Sequence, residues 1–149
     1  MPLKIFTSLT DIAPHEPDLT RLRYQLHCNP ELAFCENETS DLVADQLRAY
    51  GYQVHRNIAK TGLVGTLTAG EGRRTIGIRA DLDALPITEA NTFAHVSRNL
   101  GKMHACGHDG HTAMLLGAAK HLAQTRRFSG TVNLIFQPAE ERGFDSGAK

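Results

Sequence analysis

The sequence predicts an α/β fold built on a layered sheet. Two amphipathic helical segments precede three segments of strand character, and a third helix then leads into a fourth, strongly apolar strand, giving the order ααβββαβ. A helical bundle would lack the glycine-flanked β-branched runs, and a β-sandwich would lack the helices. With 149 residues the chain has the size of one domain and can bury roughly two thirds of its unfolded surface.

Asp18 to Cys28 places Leu19, Leu22 and Leu26 at helical spacing, behind Pro17 and ahead of Asn29-Pro30, which stops the helix. Thr39 and Ser40 offer capping hydroxyls to a second helix. Its apolar positions Leu42, Val43, Leu47 and Tyr50 run to Gly51, a residue suited to a left-handed terminus. Tyr52 to Asn57, Gly62 to Leu67 and Thr75 to Ala80 read as strands from their β-branched content and glycine flanks. Glu89 to Lys102 is polar and irregular, a loop. From His111 to Gln124, Met114, Leu115, Ala118 and Leu122 share one helical face, and Thr131 to Phe136 is the most apolar strand, expected at the centre of the sheet.

Composition narrows the function. Sixteen basic side chains balance sixteen acidic ones, so no net field draws the chain to nucleic acid or anionic lipid, and neither partner is expected. No apolar run reaches the length of a membrane span, and Met1 to Thr10 lacks a signal-peptide pattern. Three dispersed cysteines, Cys28, Cys35 and Cys106, do not make a disulfide framework and suit a reducing compartment. A cytoplasmic location is expected, with Cys28 and Cys35 as structural or surface thiols.

The densest chemistry lies in Met103 to Thr112, where a thiol, three imidazoles and a carboxylate fall within ten residues. Cys106 and His108, one glycine apart and backed by His104 and Asp109, pair a soft thiolate with a borderline imidazole, which favours Zn²⁺ or another first-row ion over Mg²⁺ or Ca²⁺. Two further clusters, Arg79 to Pro86 and Gln137 to Glu141, also follow predicted strands. Ligands in open α/β sheets collect beyond the carboxyl ends of strands, so the three clusters can converge. A hydrolytic metal centre needs ligands, an open position for water and a base, and Glu140 with Glu141 can divide the last ligand and the base between them. Simpler roles stand beside these: a Glu-Glu pair alone is usually solvated, Asp81 and Asp83 suit a turn before Pro86, and His111 can merely open a helix. The isolated His15, His55, His95 and His121 are assigned no chemistry. No H-E-x-x-H, G-x-S-x-G, P-loop, paired C-x-x-C or zinc-deaminase pattern is present.

With these blocks in hand, the chain resembles the amidohydrolases that include hippurate hydrolase, N-acyl-amino-acid amidohydrolases and auxin-conjugate hydrolases. The resemblance rests on Arg79 to Pro86, Met103 to Thr112 and Phe136 to Glu141, with His27 to Leu32 and Lys60 to Gly65 in matching order, and runs from about Leu19 to Lys149. It implies a three-layer α/β/α sandwich of the zinc-exopeptidase type, with residues 1–149 as the amino-terminal part of a metallo-amidohydrolase catalytic domain and the lid domain absent. It implies a dinuclear site holding Mn²⁺, Zn²⁺, Co²⁺ or Ni²⁺ that cleaves the amide bond of N-acyl amino acids, and homo-oligomeric full-length relatives. Position by position, Cys106, His108 and Glu141 would be metal ligands and Glu140 the general base. Asp83 would orient a ligand, with Asp81 a weaker candidate. Relatives run to more than twice this length and carry two further histidine ligands in the remainder, so this chain is expected to be an amino-terminal fragment that binds metal weakly and is nearly inactive alone. The alternatives are a non-catalytic metal-binding or interaction remnant and, less favoured for want of a resolving cysteine, a thiol redox protein using Cys106.

Overall fold

The structure, a computed structural model, describes residues 9–148. Expectations for residues 1–8 and for Lys149 lie outside the described residues. A short helix α1 (Leu9–Ile12) and a 3₁₀ turn (Ala13–His15), neither anticipated from the sequence, lead into α2 (Glu16–Cys28) and α3 (Asn37–Ala49). Strands β1 (Gln53–Ile58), β2 (Gly62–Ala69) and β3 (Thr75–Asp81) follow, then α4 (His108–Thr125) and β4 (Gly130–Gln137). The order ααβββαβ is therefore present, preceded by the short α1.

Local chemistry explains the boundaries. Pro17 sits in the first turn of α2, where its missing N–H leaves no helical bond unmade. The capping role expected of Thr39 and Ser40 is not theirs: α3 begins at Asn37, so both lie inside the helix. Glu31 serves that terminus instead, accepting from the N–H groups of Glu38 and Thr39 and from the Thr39 hydroxyl. At the other end Gly51 takes φ +86°, the Tyr52 N–H reaches the Leu47 carbonyl and the Gly51 N–H reaches that of Arg48. This bond pair closes the helix in the manner expected of a left-handed glycine. Helix α4 starts three residues earlier than its apolar periodicity suggests, because Gly107 supplies a left-handed residue (φ 86°, ψ 18°) immediately before it.

The sheet has the order β1-β2-β4-β3. β1 and β4 flank β2 antiparallel, and β3 runs parallel to β4 with α4 as the crossover between them. β4 is central as expected, with Val132, Leu134 and Phe136 buried on one face and Ile135 partly exposed on the other. On the buried face α3 packs on β1 and β2, α4 packs on β3 and β4, and α2 lies mainly against α4. The core joins Val43, Ala44 and Leu47 of α3 with Leu63 and Leu67 of β2, and Leu115, Leu116 and Ala119 of α4 with the inward side chains of β4. Burying Leu47 or Phe136 contributes about 1.5–3 kcal/mol each, and Leu47→Ala would cost about 2–5 kcal/mol.

The α/β class thus holds, and among the described residues the helices cover one face of the sheet. The other face carries Thr66 bonded to Asn133 and Thr68 bonded to Thr131 across strands. What this topology does for the site is geometric: β3 and β4 are parallel neighbours, so both end at the same edge, where α4 begins. Chain exit from β3 is tied down there by Leu82 N–H to the Gln137 carbonyl, and by reciprocal bonds between Leu85 and Met103.

Candidate metal centre

Three loops meet at that edge. Asp81 and Asp83 leave β3, Cys106 and His108 flank the left-handed Gly107, and Glu140 and Glu141 follow β4 after Pro138. The two glutamates do not sit on an extended strand end, as the sequence suggests. They open a 3₁₀ segment (Glu140–Asp145) behind Ala139, itself left-handed at φ 55°, ψ 40°.

Asp83, 1 % exposed, organises the cluster. Its Oδ1 accepts from the Glu140 N–H and its Oδ2 from the Glu141 N–H, both at 3.0 Å. Its backbone carbonyl accepts from His108 Nδ1 at 2.8 Å, which orients the ring and leaves Nε2 facing the cluster. Asp83 therefore stabilises no turn before Pro86. Burial pushes its carboxyl up, but the bonds from His108 and the Glu141 and Glu140 N–H groups outweigh that and hold it below the usual carboxylate range.

His108 Nε2 lies 3.7 Å from an oxygen of each of Asp81, Glu140 and Glu141. Burial works to lower the pKa of this ring, yet Asp83 and Asp81 raise it overall, so a proton and a cation compete for the same nitrogen. Cys106 is exposed, and one donor atom each from Cys106, His108 and Glu141 lie within 4.8 Å of one another. The Cys106 thiol is pushed up to about 11, first by its hydrogen bond to Glu141, then by burial and by the charges of Glu141, Glu140 and Asp83.

These observations decide whether a cation fits. A thiol, an imidazole and a carboxylate form a first-row donor set, and surplus negative charge keeps the thiol protonated until a cation is bound. Among the described residues no Lys or Arg pairs with Glu140, Glu141 or Asp83. A second group, Asp81, His108 and His111, is equally close. It fits less well, because both oxygens of Asp81 are engaged, Oδ1 by His111 Nδ1 at 2.6 Å and Oδ2 by Arg79 at 2.9 Å. It also needs the same His108 Nε2. His111 does not open α4 but lies in its first turn, bonded to Asp81.

Two residues expected to back the Cys-Gly-His unit turn elsewhere. Asp109 follows His108 on α4, and successive helical side chains diverge by about 100°, so its Oδ2 accepts from His27 Nδ1 at 2.8 Å and Arg23 Nε at 3.2 Å. Among the described residues its buried Oδ1 has no partner, nor do the two buried ring nitrogens of His104, whose pKa burial drives down to about 4. His27 also meets Glu89, at 3.1 Å. A further carboxylate, Glu36, is wholly buried and accepts from the Ala139 N–H at 2.8 Å. The only signal for it was an acidic residue three positions ahead of Thr39, which also reads as a helix start.

Most of the chain is similar in sequence and fold to known proteins. Residues 77–149 match Peptidase family M20/M25/M40. A hippurate hydrolase of Campylobacter jejuni is 48 % identical over 133 residues, which cover 89 % of this chain and 34 % of that protein. An N-acyl-L-amino acid amidohydrolase of Geobacillus stearothermophilus is 46 % identical over 133 residues, covering 89 % and 36 %. The crystal structure of Bacillus subtilis YxeP, a dinuclear metal binding peptidase from the M20 family, superposes with a TM-score of 0.82 at 41 % identity, covering 87 % of this chain and 36 % of that one. The chain spans about a third of the length of the curated relatives it matches.

Proposed function

We propose that the chain is part of a hydrolase of the peptidase family M20/M25/M40, whose pattern residues 77–149 match, and that it carries the metal-holding part of an enzyme that cleaves the amide bond of N-acyl amino acids, hippurate-like compounds among them. The observation that carries this is the meeting of Cys106, His108 and Glu141 within 4.8 Å beside the half-exposed carboxylate of Glu140.

Cys106, His108 and Glu141 would hold the ion. When bound, a divalent ion such as Zn²⁺, Mn²⁺, Co²⁺ or Ni²⁺ supplies Lewis acidity, lowering the pKa of water toward about 7 and polarising the scissile carbonyl. Glu140 keeps a side chain that is 41 % exposed and can meet water, so it takes the proton of the attacking water and delivers it to the leaving amine. Asp83 fixes the backbone of both glutamates and the ring of His108, so that base and ligands keep one mutual geometry. Because the chain covers about a third of its amidohydrolase relatives, we further propose that these 149 residues alone turn over substrate poorly.

Metal analysis and kinetics on a full-length context separate the roles. Glu140→Gln removes a proton carrier but no ligand, so it retains metal and loses most of kcat. Cys106→Ala lowers metal content. Retained turnover in the first, or unchanged stoichiometry in the second, removes the corresponding assignment.

A non-catalytic interaction role has one observation in its favour: β3 is an edge strand, with Ile76 56 % exposed. Sizing with and without EDTA, alongside an amidase assay, distinguishes it from hydrolysis.

A further inference from the structure

We propose that Glu36 is a positioning residue for the Glu140–Glu141 pair, setting the direction in which both carboxylates leave the end of β4; this rests on the metal-site function proposed above. Glu36 occupies the N-cap of α3, where a short polar side chain ordinarily accepts from its own helix. It makes no such bond. Glu31 takes over the first-turn N–H groups of α3, and Glu36 points away from its helix into the site edge. Its side chain is 0 % exposed and has no Lys, Arg or His partner among the described residues.

What it does hold is backbone. Oε1 accepts from the Ala139 N–H at 2.8 Å across 103 residues of chain, and Oε2 accepts from the Thr61 hydroxyl. Pro138 has no N–H, so the donor of Ala139 is the first available after β4 ends at Gln137. The next two donors, Glu140 and Glu141, go to the two oxygens of Asp83. Three successive N–H groups are thus gripped by two buried carboxylates.

Ala139 shows why the grip matters. It sits at φ 55°, a left-handed conformation that is unfavourable for a residue with a Cβ and persists only where surroundings enforce it. Without an acceptor at Glu36, Ala139 relaxes toward right-handed or extended backbone and swings Glu140 and Glu141 off their present directions. What the two oxygens of Glu36 fix is the path of the backbone at Ala139 and the place of Thr61. Glu36 acts through geometry.

The test is cobalt(II) titration, read by the thiolate-to-cobalt charge-transfer band of Cys106 and the d–d bands that report coordination. Glu36→Met fills the same volume without an acceptor. It is expected to fold, by circular dichroism, and to bind cobalt at least about tenfold more weakly with altered d–d bands, the size typical of losing a residue that supports a ligand. Glu36→Gln keeps an oxygen for Ala139 and an amide donor for Thr61, and is expected to restore the wild-type spectrum with affinity within about threefold. A folded Met variant with wild-type affinity and spectrum overturns the positioning role. So does a Met variant that fails to fold, which would make Glu36 a stability residue, and so does a Gln variant that behaves like Met. Wild-type protein with no thiolate–cobalt band overturns the metal site itself, and the role of Glu36 with it.

Discussion

Replacing Asp83 by Asn tests the organisation of the cluster without altering side-chain size. Asp83 is 1 % exposed and accepts two backbone N–H groups, one on each oxygen, at 3.0 Å. Hydrogen bonds to a charged acceptor contribute about 1.5–3 kcal/mol each, against about 1 kcal/mol for a neutral pair. Asn keeps one oxygen, so one N–H exchanges a charged acceptor for a neutral one. The other N–H meets an NH₂ group and loses its partner at a part-buried site, and the 3.3 Å contact with His108 Nδ1 loses its charge. Summed, the change costs about 3 kcal/mol, or roughly 6–12 °C in Tm for a chain of this size. Thermal unfolding at neutral pH followed by circular dichroism measures it. Because the folded state holds the Asp83 carboxyl below its usual range, its ionised form stabilises the fold above that range and ceases to do so as pH falls through the folded pKa. The gap between wild type and Asp83→Asn should therefore narrow in acid. A Tm within about 2 °C of wild type would refute the bridging role of this carboxylate.

Two other predictions concern charge. With its pKa at about 11 instead of 9.0, Cys106 holds a hundredfold less thiolate, partly offset by the greater nucleophilicity of a more basic sulfur, so metal-free protein should be alkylated at pH 8 about tenfold more slowly than an ordinary thiol. Glu141→Gln should speed that reaction. Iodoacetamide labelling followed by mass spectrometry reads both, and equal rates in the two proteins would exclude Glu141 as the main influence on the thiol. Glu89 is raised by burial but pulled down further by bonds from Asn91, the Ser97 N–H and His27, from 4.5 to about 2. Its ionised form stabilises the fold fully above pH 4.5, and that contribution is lost as pH falls toward 2. Urea unfolding of Glu89→Gln should show a flatter pH dependence across that window, and parallel curves for variant and wild type would rule the linkage out.

Much of the site was legible because its parts are local in sequence. Cys106 and His108 are two positions apart, and the glycine between them is the signal that the backbone turns there. Glu140 and Glu141 follow a strand that periodicity identified. Local pattern did not disclose what Asp83 and Glu36 hold, since their partners lie 57 and 103 residues away, and only the family resemblance pointed to Asp83 as orienting a ligand. Asp83 reads locally as a turn residue and Glu36 as a helix start, both reasonable for a carboxylate next to an element boundary. Thr39 and Ser40 misled for a related reason: they are good caps in isolation, but the helix begins two residues earlier, at Asn37, where Glu31 accepts from its first-turn N–H groups.

Apolar periodicity, glycine placement and residue chemistry by themselves determined the elements, their order, the α/β class and the donor types of a first-row metal site, because each depends on contacts within a few residues. Tertiary structure alone decided that β3 and β4 end side by side, that Asp109 turns away to His27 while His108 faces the cluster, and that two buried carboxylates grip the backbone before the paired glutamates. Those outcomes depend on which distant groups burial brings within hydrogen-bond reach. No local pattern encodes that, because an unpaired N–H can be satisfied by any acceptor the packing delivers.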